Sequence, residues 1–117
     1  MMNHQIPSGP MEYEEVENIM YESLGFCGCM PIEPLEKIHA CLTWANRETQ
    51  PQGWTPFEEL VQNTFTGDEG SAYCVLMLLE KAELLEHGIA IRAAWLTKKG
   101  ERLLLSLTPA TLEHLVK

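Results

Sequence analysis

Cysteine and histidine are the residue types of this 117-residue sequence best suited to nucleophilic or metal-binding chemistry, and the chain has four of each. Zinc sites are typically marked by two Cys-x₂₋₄-Cys pairs, or by cysteines with histidines at set spacing. Here only Cys27 and Cys29 form a close pair. Cys41 and Cys74 fall within helical patterns, where a thiol serves as a small apolar side chain. We therefore expect no metal site, and Cys27 and Cys29 are the only candidates for one.

The reactive side chains do not form a catalytic pattern. A cysteine nucleophile needs a histidine base and an orienting group that converge on it. The spacing of His39, His87 and His114 pairs none of them with Cys27 or Cys29. The glycines form neither a phosphate-binding loop nor a dinucleotide fingerprint. The sequence therefore indicates a protein that is not an enzyme and binds no cofactor.

Charge is distributed unevenly along the chain. The sequence has 17 acidic and 8 basic residues, and its net charge is −9. Residues 1–91 carry 15 acidic and 3 basic side chains, whereas residues 92–102 carry one acidic and four basic side chains. An acidic protein lacks the field that supplies most non-specific affinity for DNA, so only local basic groups are suited to phosphates. The candidate nucleic-acid contacts are Lys81, Arg92, Lys98, Lys99 and Arg102.

A helical pattern covers the stretch from Glu69 to Leu85, with Asp68 at the N-cap position. Apolar residues recur there at three- and four-residue spacing, which places them on one face of a helix. Gly88 provides the turn that follows. The inward face comprises Ala72, Val75, Leu76, Leu79 and Ala82. The outward side comprises Gly70, Tyr73, Cys74, Met77, Leu78 and Lys81.

The composition of that outward side favours apolar contact. Base edges are normally read by Arg, Lys, Asn, Gln, Ser or Thr, and only Lys81 belongs to this set. Asp68 and Glu69 place negative charge where a phosphate would bind at the helix N-terminus. We expect a protein-interaction face that is covered by the N-terminal helix, by a second copy of the chain or by another protein. Its residues are Tyr73, Cys74, Met77 and Leu78.

After Gly88 the apolar period changes from three or four residues to two, which is typical of a half-buried strand in a short hairpin. Thr97 then stands at the position of an N-cap hydroxyl, before a helix that contains the apolar run from Leu103. The alternating residues are Ile89, Ile91, Ala93 and Trp95.

Further helices flank this region. An amphipathic pattern with acidic first turns predicts an N-terminal helix, Pro34 suits the first turn of a second helix, and a capping box from Thr55 to Glu58 predicts a third. Thr108 and Pro109 predict a short C-terminal helix. The composition of residues 1–10 predicts an irregular N-terminal segment. The three predicted helical ranges are Met11–Leu24, Pro34–Arg47 and Pro56–Thr64.

The order of helix, hairpin and helix resembles the distal half of a winged helix-turn-helix domain. The segments LEKAELLEHG and IRAAWLTKKGERLL are similar to the corresponding part of MarR-like and PadR-like regulators. Over residues 33–107 this resemblance implies a mainly α winged-helix fold with a short β-hairpin wing, to which the residue patterns add an extra N-terminal helix and a short C-terminal helix. Residues 11–117 would form one domain. The Cys-Gly-Cys-x-Pro stretch at residues 27–31 is also similar to one in small proteins of phage and bacteria.

These features predict a small cytosolic interaction or regulatory module that associates through the outward face of its recognition helix. No apolar run approaches the about 20 residues needed to span a bilayer, and the N-terminus lacks the basic and apolar regions of a secretory signal. The expected partner is a second copy or another protein. The alternative is a dimeric DNA-binding transcriptional regulator with a basic wing, a reading that the net charge of −9 disfavours.

Overall fold

Helices make up most of the architecture. The computed structural model describes residues 9–25, 32–46 and 55–115. Within these residues one antiparallel strand pair, β1 Leu85–Glu86 and β2 Trp95–Leu96, accompanies the helices. The prediction of a mainly helical chain with a small antiparallel hairpin is therefore confirmed. The helices are α1 Tyr13–Asn18, α2 Ile32–Ala45, α3 Phe57–Phe65, α4 Glu69–Lys81, α5 Lys98–Ser106 and α6 Pro109–Leu115.

The core lies where α2 packs against α3, α4 and α5. Many of its members are leucines that lose nearly all of their exposed surface in the folded chain. Each such side chain contributes about 1.5–3 kcal/mol through removal of apolar surface from water. The fully buried leucines of these helices are Leu35, Leu42, Leu76, Leu79 and Leu103.

The N-terminal helix is shorter at its start than the pattern predicts and changes geometry half-way. It begins at Tyr13 and continues from Ile19 to Ser23 as a π-helical turn. The apolar face is as expected, because Val16, Ile19 and Met20 are all buried. The helix packs against α5, which fixes the N-terminal segment on the core.

Side-chain caps begin α4 and α5 as the sequence predicts. The Asp68 carboxylate accepts a hydrogen bond from the Ser71 backbone N–H at 3.1 Å. The Thr97 hydroxyl accepts one from the Gly100 backbone N–H at 3.0 Å. Each cap satisfies an amide that has no partner inside its own helix, and the Thr97 cap contributes about 1 kcal/mol.

Helix α3 begins one residue later than the pattern predicts. Its first residue is Phe57, and Pro56 holds the N-cap position. The extended backbone of Pro56, with ψ of 149°, leads directly into the first turn.

Helix α4 ends four residues earlier than its periodicity predicts. Its last residue is Lys81, and Glu83 adopts a left-handed conformation with φ of 66°. The backbone N–H of Leu84 then bonds to the carbonyl of Leu79 at 2.9 Å, as in a Schellman motif. The turn is therefore made at Glu83, and the expectation that Gly88 makes it is wrong.

The residues with alternating apolar character do not form one strand. Ile91–Ala93 is a 3₁₀ turn that packs against α4, and β2 begins only at Trp95. Ile91 is half-buried against the core, whereas Ile89 is fully exposed. The period-two pattern fails here because the 3₁₀ turn rotates successive side chains by about a third of a circle and not by half.

Candidate functional site on helix α4

The inward side of α4 matches the periodicity of the sequence. Ala72, Leu76, Leu79 and Ala82 are buried in the core. Val75 is only half-buried, at the edge of this side. The helix is therefore held in a defined rotation, and the remaining positions face outward or along its two flanks.

The four residues predicted as an interaction face are not equally exposed. Cys74 and Met77 are exposed, and Met77 keeps 58% of its surface. Tyr73 lies on one flank, where its ring packs against Phe57 with the centroids 5.0 Å apart. Leu78 lies on the other flank and packs against the core. The exposed part of the predicted face is therefore Cys74 and Met77.

A groove runs between α2 and α4 beside this exposed part. Its volume is about 610 Å³, within the range of natural ligand pockets. Spacing within α4 alone did not reveal it, because its walls belong to different helices. The apolar lining residues are Pro34, Ile38, Phe65, Cys74, Val75 and Leu78. The other lining residues are Lys37, Asp68, Gly70 and Ser71.

A carboxylate occupies the N-terminus of α4. The side chain and the backbone N–H of Ser71 both bond to Asp68, and these hydrogen bonds hold the pKa of the Asp68 carboxyl below its usual range. The group therefore stays ionised at neutral pH. Helix N-termini commonly bind phosphates, and here a negative charge takes that position.

Arg92, a candidate nucleic-acid contact, is engaged within the fold. Its guanidinium pairs with the Glu58 carboxylate and lies 5.1 Å from the centroid of the Phe57 ring. Both partners belong to the first turn of α3. The arginine therefore ties the 3₁₀ turn of the hairpin to α3.

Two further candidate contacts are also engaged. The Lys99 ammonium donates to the Ala82 carbonyl at 3.1 Å, just past the end of α4. The Arg102 guanidinium donates to the Gly9 carbonyl at 3.2 Å and to both carboxylate oxygens of Glu15. Only 12% of the Arg102 side chain is exposed, so a phosphate has little access to it. Of the five candidates, Lys81 and Lys98 are the exposed ones.

Arg102→Met should loosen the N-terminal helix, because methionine keeps the apolar stem and loses these hydrogen bonds. Glu15 is 44% exposed, so we discount the ion pair for solvent screening and expect a loss of about 1 kcal/mol. Amide exchange in residues 13–23 should then accelerate about fivefold, as hydrogen-exchange mass spectrometry can measure. Lys98→Met, at an exposed position of the same helix, is the control. Equal exchange in the two variants would contradict the assignment.

The described histidines and cysteines have different surroundings. His87 pairs with Glu80, and the His114 ring packs against Tyr13. His39 is half-buried in α2, and burial raises the pKa of the Cys41 thiol to about 12. Among the residues that the structure describes, no three His, Cys, Asp or Glu side chains form a group able to hold a metal ion. Cys27 and Cys29 lie outside the described residues.

Comparison with protein-family models, curated proteins and solved structures finds no match for this chain. Within the described part of the chain, no helix has both the length and the apolar character needed to cross a bilayer. The chemistry of α4 and of the groove beside it is therefore what indicates a function.

Proposed function

We propose that the protein is a non-enzymatic regulatory module of winged-helix type that binds another protein through the exposed side of α4. The order α2, α3, α4, β1, β2, α5 supports the fold assignment, because winged helix-turn-helix domains place three helices before the hairpin. In that arrangement α4 holds the position of the recognition helix. The chemistry of this helix then decides the class of partner.

The exposed side of α4 is the main support for this proposal. Its exposed side chains include Cys74 and Met77, and its first turn begins with Asp68 and Glu69. None of these four can donate a hydrogen bond to a base edge in the manner of Arg, Asn or Gln. An exposed methionine beside an apolar groove is instead typical of a surface that adapts to a polypeptide.

The engagement of three basic side chains supports the same conclusion. Arg92, Lys99 and Arg102 bond to groups of the fold. Contact with phosphates would require these bonds to break or to be shared. Affinity for DNA grows with the number of phosphates neutralised, and Lys81 and Lys98 are few against a net charge of −9.

The protein should not co-sediment with mixed-sequence duplex DNA, even at about 50 mM salt, where phosphate contacts are strongest. Analytical ultracentrifugation with labelled DNA measures this directly. Co-sedimentation that disappears at about 200 mM salt, and that weakens when Lys81 and Lys98 are both changed to Ala, would contradict the proposal and favour a DNA-binding regulator.

Sedimentation of the protein without DNA decides whether the partner is a second copy. Met77 and Leu105 are 58% and 55% exposed, on α4 and α5 respectively, so Met77→Arg and Leu105→Arg form a matched pair. A dimer dissociated by the first change and preserved by the second would assign α4 to self-association. A monomer at all concentrations would direct the search to other proteins.

A further inference from the structure

The groove between α2 and α4 has the form of a helix-binding site. Two helical walls border an apolar floor that includes Ile38 and Phe65, and Cys74 and Leu78 lie along one wall. Amphipathic helices bind such grooves by inserting apolar side chains at three- and four-residue spacing. The volume of about 610 Å³ accommodates several side chains of that kind.

The charge of the two helices that form the groove is predominantly negative. Glu33, Glu36, Glu69 and Glu80 belong to α2 and α4, and Asp68 caps α4. Against these five carboxylates the same helices carry two ammonium groups, those of Lys37 and Lys81. The Lys37 ammonium lies 5.7 Å from the centroid of the Phe65 ring at the floor of the groove, beside the Asp68 carboxylate that it stabilises.

The negative charge of the chain and of these two helices favours some classes of partner over others. DNA and RNA are repelled by a chain with a net charge of −9, and a second copy brings the same charge to the contact. A polypeptide with Lys and Arg beside its apolar face is attracted by the acidic helices, and its association is accelerated by their field.

We propose that the groove between α2 and α4 binds a basic amphipathic helix of another protein. This inference rests on the proposed function and adds to it the chemistry of the partner. The apolar face of the bound helix occupies the groove between Ile38 and Leu78. Its basic residues are attracted by the Asp68 carboxylate, which lines the groove beside Lys37, and by the glutamates of α2 and α4.

The test uses a synthetic helix of leucine and lysine of about 18 residues, long enough to become helical on binding. The same sequence with glutamate in place of lysine is the charge control. Cys74→Arg blocks the groove wall, whereas Leu105→Arg changes a 55% exposed residue of α5 that does not line the groove. Both variants alter the net charge equally, and arginine is well tolerated in helices. Fluorescence anisotropy then gives each affinity.

We expect the Leu/Lys helix to bind the wild-type chain and the Leu/Glu helix not to bind. Cys74→Arg should weaken binding at least about tenfold, and Leu105→Arg should change it less than about twofold. Asp68→Asn, which retains an N-cap side chain, should weaken binding about twofold to threefold. In the wild-type protein the bound helix should also protect Cys74 from alkylation, a readout that requires no substitution.

Three results would overturn the inference. They are the absence of binding, an equal effect of Cys74→Arg and Leu105→Arg, and a wild-type dimer that only Cys74→Arg dissociates. The second result would show attraction by net charge alone, and the third would assign the groove to a second copy. Loss of binding in Met77→Arg alone would reject the groove and retain the proposed function, whereas salt-sensitive DNA binding would reject the function.

Discussion

Gly100→Ala should destabilise the protein by about 3 kcal/mol, although alanine normally favours a helix over glycine. A Cβ atom at Gly100 would lie 2.1 Å from the backbone carbonyl oxygen of Leu84 and 3.1 Å from a methyl carbon of Leu96. No real Cβ approaches a backbone oxygen so closely. Helix α5 would therefore have to move away from the end of α4.

That movement is costly because the start of α5 is bonded to the residues that follow α4. The Thr97 N–H donates to the Leu84 carbonyl at 3.1 Å, and its hydroxyl donates to the Glu83 carbonyl at 2.7 Å. The Lys99 ammonium donates to the Ala82 carbonyl. These three carbonyls follow the last turn of α4 and have no acceptor role inside it, so their loss leaves polar groups without partners. Displacement of α5 breaks these bonds together.

Chemical denaturation measures the change in the free energy of unfolding. Gly70→Ala is the matched control, because Gly70 also lies in the first turn of a helix and a Cβ there meets nothing closer than 3.6 Å. This control should be more stable than the wild type by about 0.5–1 kcal/mol. If Gly100→Ala were as stable as Gly70→Ala, the close approach of α5 to Leu84 would not exist in solution.

Local signals in the sequence predicted the parts of the fold that depend on neighbouring residues. The spacing of Leu76 and Leu79 identified the buried side of α4, and Asp68 and Thr97 identified two helix starts. The end of α4 was misplaced because Glu83 adopts the left-handed conformation that usually favours glycine. Bonds from Thr97 and Lys99 hold that turn, and no local pattern records contacts made from so far along the chain.

The candidate site was predicted in part for the same reason. Periodicity placed Cys74 and Met77 outward, and both are exposed. It could not show that Arg92 pairs with Glu58, 34 residues away, or that Arg102 pairs with Glu15, 87 residues away. Nor could it reveal the groove, whose lining comes from α2, α4 and the end of α3. Basic residues whose pattern suggests phosphate binding can thus form bonds that connect distant elements of the fold.

Cys41 should react with an alkylating agent about a thousand times more slowly in the folded protein than in the unfolded chain. The thiolate is the reactive form, and burial raises the pKa of the Cys41 thiol from 9.0 to about 12. At pH 8 the thiolate fraction is therefore lower by about three orders of magnitude. The side chain is also wholly buried among the apolar residues of the core, so the reagent cannot reach it without an opening of the fold.

Timed alkylation with site-specific mass spectrometry tests this prediction, and exposed Cys74 provides the internal control. The raised pKa also links Cys41 to stability, because the folded state retains a proton that the unfolded chain loses above about pH 9. Stability should fall as pH rises from about 9 to about 12, by up to about 1.4 kcal/mol per unit from this thiol. Cys41→Ala should lack this component of the decline. Comparable labelling of Cys41 and Cys74 at pH 8 would instead mean that α2 separates readily from the core, and the wall that α2 supplies to the groove would then not be preformed.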